Sequence, residues 1–256
     1  MAIRLSTGLR NFLLAGGSLS QAFNGGILEV RTGVQPLEAD NATQGTKLVT
    51  FTAASGTWVA ETPATGSIEL ASGASGSVNT ITVDSINILD TVVPYNTSLA
   101  QTATDLAAAL NRSSLNTDFD ASVASATVTL TSRPNRAVRY NSITIAGSLT
   151  TLTANYTSPS GGVAAVNGLW FEASAAGILT KRSAQVWSGV AAASGTAGWF
   201  RLKSVLTDND AATTTLLRLD GSIATSGGNL TMSPTTMTIG ATQTLASFNA
   251  TIPSEY

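Results

Sequence analysis

The chain has 256 residues, enough for roughly one to two domains with a buried core. With 43% hydrophobic but only 11% charged residues, it is not a solvated, disordered coil. Lys and Arg number 13 against 15 Asp and Glu, for a net charge of -2, and neither sign is concentrated, so the footprint of direct nucleic-acid binding is missing. There is no His and no Cys, which excludes Ser-His-Asp and Cys-His centres, thiolate nucleophiles, disulfides and ordinary zinc sites. No enzymatic activity, no cofactor and no metal are expected.

At the amino terminus, Arg4 and the apolar Leu5, Leu9, Phe12, Leu13 and Leu14 are interrupted by Ser6, Thr7, Arg10 and Asn11. No signal-peptide apolar region forms, and no stretch reaches the ~20 apolar residues that cross a bilayer. The expectation is a soluble, unexported product without a membrane span. Helical spacing over 6–14, with Ser6 as N-cap and Gly16-Gly17 as stop, predicts a short amphipathic helix. Its apolar face, Leu5, Leu9, Phe12 and Leu13, either packs on its own domain or docks on a neighbouring subunit, and these four are the candidate assembly contacts. A second turn is predicted over 18–23, followed by strands over 27–31, 47–52, 57–60 and 66–70, punctuated by Gly, Ser and Pro.

The Gly/Ser/Ala run at 71–77 and the break at 158–162 read as borders. Between them, strands at 78–83 and 86–89 flank Asp84-Ser85, and Ser98 caps a helix over 99–111 with the stripe Leu99, Ala103, Leu106, Ala107 and Leu110. Strands at 121–125, 126–132 and 142–145 complete a small inserted α+β domain, 73–162. Short strands then recur at 168–172, 177–180, 185–189, 198–204, 216–219, 229–232 and 244–252. The predicted fold is mainly β: an antiparallel β-sandwich or jelly-roll-like domain built discontinuously from 1–72 and 163–256, interrupted by the insert.

Candidate sites are few. Asp118/Asp120 and Asp208/Asp210 offer too few ligands for a calcium ion, the Asp-Asn-Asp at 208–210 lacking the Gly and distant Glu of a calcium loop, and read as solvated turns. Asp220-Gly221 reads as a hairpin turn. Arg133, Arg136 and Arg139, with Tyr140, form the basic cluster and the candidate partner-contact loop. Trp170, Trp187 and Trp199 fall on predicted strands and read as a shared core.

Leu5-Ser6-Thr7-Gly8-Leu9-Arg10-Asn11, Gly25-Gly26-Ile27-Leu28-Glu29-Val30 and Gly33-Val34-Gln35-Pro36 resemble the opening of a family of structural (virion) proteins of tailed bacteriophages. The carboxy-terminal half is similar to that family through the stretches 175–181, Val186-Trp187-Ser188-Gly189, 195–201 and 218–222. The middle segment departs from it and is similar to small modules inserted in other phage virion proteins. The resemblance implies a virion component assembled in the host bacterial cytoplasm, a homo-oligomer whose partners are other virion structural proteins, with no catalytic residues. The alternative it leaves open is a tail-fibre or receptor-binding module recognising host surface carbohydrate.

Overall fold

The computed structural model describes residues 3–173, 175 and 177–251. The chain is mainly β and antiparallel, with sandwich-like layering, and it divides into two compact units: residues 3–61 with 165–251, and residues 62–164. In chain order the first segment forms β1 (Arg4–Leu5), α1 (Thr7–Leu14), α2 (Leu19–Phe23), β2 (Ile27–Thr32) and β3 (Lys47–Ala53). The middle segment forms β4 (Thr65–Ser72), β5 (Ser77–Val83), β6 (Ile86–Asn87), β7 (Val93–Pro94), α3 (Leu99–Arg112), β8 (Phe119–Ala124), β9 (Thr127–Ser132), β10 (Ile145–Thr150) and β11 (Thr153–Ser160). The last forms β12 (Ile178–Thr180), β13 (Trp187–Val190), β14 (Gly195–Lys203), β15 (Arg218–Ala224), β16 (Leu230–Thr231), β17 (Thr236–Met237), β18 (Thr242–Leu245) and β19 (Asn249–Thr251).

In the discontinuous unit, one sheet runs β1-β15-β14-β2-β3-β13-β18. Alternation along its strands separates two faces. Leu28, Val30, Phe200, Leu202 and Leu219 point into the apolar core, where the β12-β19 pair packs through Leu179 and Ala250. Phe248 stands against Trp187 and Phe200 with ring centroids 5.7 and 5.6 Å apart, a spacing typical of aromatic pairs. Ser6 caps α1 by accepting the Leu9 backbone N–H at 3.1 Å, and Ser18 and Gln21 form a capping box on α2.

The inserted unit holds one sheet ordered β11-β4-β9-β8 and another ordered β10-β5-β6 with β7 on β5. Leu106 and Leu110 of α3 are fully buried among Ile68, Val128 and Leu130. Its ends meet: Thr62 and Val163 exchange both backbone hydrogen bonds, at 3.0 and 2.9 Å. Asp84 and Ser85 both have positive φ, the backbone of the tight β5-β6 hairpin.

Several expectations are corrected here. The first border lies at 61/62 and not at 72/73, because β4 bonds to β9 and β11 of the insert, and the 71–77 run is the turn into β5. The second lies at 164/165. Residues 57–60 and 168–172 contribute isolated bridges and no strand, whereas β11, which the sequence did not suggest, is eight residues long. Asp220-Gly221 is no turn. Both lie inside β15, and Gly221 is required by close packing, since a Cβ there would fall 2.5 Å from the Phe200 ring. Residue 252 of the predicted last strand lies outside the described residues.

Candidate functional site

The second face of the long sheet is charged, yet it is buried. β2 presents Glu29 and Arg31, β14 presents Trp199, Arg201 and Lys203, and β15 presents Arg218 and Asp220, all at most 6% exposed. Two loops, 33–46 and 204–217, cover this face and tie to each other, Thr43 N–H donating to the Asp210 carbonyl at 3.0 Å and Thr213 N–H to the Asp40 carbonyl at 2.8 Å. Arg201 Nη1 donates to the Asn41 carbonyl and Arg218 Nη2 to the Ala211 carbonyl. Four cations and four carboxylates are thereby matched in a largely buried layer.

The pairing is specific. Arg201 holds Asp220 in a two-pronged bond, and Arg218 holds Asp208 in another. Arg31 Nη2 reaches Glu29 Oε2 at 2.8 Å and Asp210 Oδ2 at 2.6 Å. Lys203 Nζ lies 3.0 Å from Glu29 Oε1 and 2.5 Å from Asp210 Oδ1. Burial pushes the Glu29 carboxyl up, but Lys203, Arg31 and Lys47 outweigh it and hold the group below its ordinary value. Asp208 behaves alike, its burial outweighed by Arg218 and Lys203. At Asp220 burial wins over Arg201 and Arg218, and its carboxyl is raised. Asp208 and Asp210 are therefore anchors of this layer and not the solvated turn that their Asp-Asn-Asp sequence suggests.

The candidate assembly contacts lie mostly inward. Leu9 is fully buried, and Leu5, Phe12 and Leu13 pack partly buried against the same core. The apolar face of α1 is thus spent on its own unit, because only that side of a short helix meets the sheet. Leu14, one residue further, is 87% exposed.

The basic loop of the insert is also largely paired. Arg133 reaches Asp120 at 2.9 Å and the Thr117 carbonyl at 3.1 Å, and Arg136 reaches Asp118 at 2.9 Å. Asp118 and Asp120 thus serve arginines. Arg139 remains exposed, 5.3 Å over the Tyr140 ring, at a pocket of about 120 Å³ floored by Ile88 and Phe119. The Tyr140 hydroxyl donates to Asp118, and its pKa is pushed up to about 12 by burial first and by that carboxylate second. Among the described residues no group of three or more acidic side chains is placed to hold a metal ion, and no helix is long and apolar enough to cross a membrane.

The tryptophans divide. Trp187 belongs to the apolar core, Trp199 to the charged face with Arg201 5.6 Å from its ring, and Trp170 is 43% exposed. Glu29, Arg31, Arg201, Lys203 and Arg218 are not singled out as site residues in the sequence. Their signal in the sequence is the alternation of charge with Leu, Val and Phe in three strands, which ordinarily denotes a solvated face. Compared with protein families, with curated proteins and with solved structures, the chain matches none.

Proposed function

We propose that the chain is a non-enzymatic structural component of a tailed bacteriophage particle, a repeated subunit of the head, neck or collar, or tail exterior. The reading draws on the resemblance of the flanking halves and is carried by one observation: the charged groups of β2, β14 and β15 are paired with one another and with Asp208 and Asp210 of a covering loop. Charges locked in this way hold a shape, whereas acid-base catalysis needs groups that reach a substrate. Self-association through apolar, hydroxyl-rich surface fits the low surface charge that results. The test is co-sedimentation: particles banded in a density gradient and washed in about 1 M salt, where exposed charge pairs are screened over a few Å, should retain the chain at many copies. Its release into the soluble fraction would contradict the reading.

A second reading, recognition of host surface carbohydrate, is favoured by one feature. Trp170 is exposed, and the Gln185 amide beside it accepts the Trp170 backbone N–H at 2.7 Å. An exposed ring held in this way is suited to stacking on a sugar face. Binding to host glycans that is lost in Trp170→Ala would favour it over the purely structural role.

A further inference from the structure

Lys203, Asp210, Glu29 and Arg31 form one ion-paired cluster on the charged face. The Lys203 amine sits 2.5 Å from Asp210 Oδ1, a buried oxygen whose partner is this amine. The Lys203 side chain is 3% exposed, so water does not compete for the amine. Glu29 Oε1 touches the same Nζ at 3.0 Å, and Arg31 Nη2 donates to the other Asp210 oxygen, Oδ2, at 2.6 Å. Nucleophile, base and a donor on the acceptor carbonyl oxygen therefore converge on one carboxyl carbon.

We propose that the folded chain joins Lys203 Nζ to Asp210 Cγ in an amide cross-link, with Glu29 as general base and Arg31 stabilising the oxygen that bears the developing charge. In the first step one proton passes from the ammonium to Oδ1 across the 2.5 Å contact. The amine lone pair then attacks Cγ, negative charge collects on Oδ2 under Arg31, and a second Nζ proton moves to Glu29. Glu29 returns that proton to the Oδ1 hydroxyl as the Cγ–Oδ1 bond breaks. One C–N bond forms, one C–O bond breaks, one water leaves, and Glu29 ends as it began. Holding both groups in one site supplies effective molarities of about 10⁵–10⁸ M in favourable cases. The step removes one cation and one anion, so the remaining three and three stay matched. It also clips the 204–217 loop onto β14, a consequence that stands apart from the virion reading.

Intact-mass measurement of the full, folded chain tests this, together with tryptic mapping. Loss of one water, about 18 Da, is expected. Trypsin should fail to cut after Lys203, leaving a peptide of residues 202–218 that carries the same loss. Asp210→Ala should restore full mass and cleavage at Lys203, and Glu29→Gln should do so while both reacting groups remain. Full mass in the unaltered chain would overturn the proposal, and so would an 18 Da loss with Lys203 still cleaved, which is dehydration at an aspartate alone. A cross-link formed as completely in Glu29→Gln would overturn the role given to Glu29.

Discussion

Arg201 and Asp220 face each other across β14 and β15, joined by two N–H···O bonds of 2.8 and 2.7 Å, and neither side chain is exposed at all. Such a pair costs desolvation on both sides, and its value lies in the matching. Arg201→Met, which strands the carboxylate, should lower unfolding stability by about 3–5 kcal/mol, whereas Arg201→Met with Asp220→Leu should lie close to the unaltered chain or above it. Urea midpoints of the three proteins decide this. A single variant as stable as the parent would contradict it.

The same reasoning separates two leucines of α1. Leu9→Ala should cost about 2–5 kcal/mol, as buried leucines do. Leu14→Ala should stay within about 0.5 kcal/mol. Equal urea midpoints for the two variants would show that α1 does not pack as described.

The inserted unit has its own core and a closed pair of ends at Thr62 and Val163. A chain of residues 62–164 alone should unfold in one cooperative transition, coincident by far-ultraviolet and aromatic circular dichroism. Non-coincident or absent transitions would contradict its independence.

Much of this architecture was legible in the sequence where one signal dominated. The helix predicted over 99–111 is observed as Leu99–Arg112, with Ser98 accepting the Gln101 N–H, because an apolar stripe and a cap agreed. Ser6 announced α1 in the same way. The border was misplaced because Gly- and Ser-rich runs mark turns inside a domain as readily as links between domains. Asp220-Gly221 misled because local turn chemistry was overridden by pairing: Asp220 sits in register opposite Arg201, and Gly221 makes room for Phe200. The charged layer was illegible because its cover comes from loops whose course no periodicity encodes.

Tyr140 offers a pH signature. Its folded pKa, about 12, lies above the ordinary 10.0, so its contribution to stability is complete below pH 10.0 and is lost as pH rises through about 12. The phenolate absorbance of the chain should show a late-titrating component that shrinks in Tyr140→Phe. An unchanged late component would contradict the Asp118 contact. Tyr156, raised by burial, remains in both proteins.

The proposed role, a repeated building block of a phage particle, has a direct structural consequence. A cryo-electron-microscopy map of the particle, taken at a resolution that separates strands, tests it most directly. Density matching the β1-β15-β14-β2-β3-β13-β18 sheet, with its two covering loops, is expected at symmetry-related positions on the head, neck or tail exterior. A map in which every repeated position is filled by other chains would contradict it.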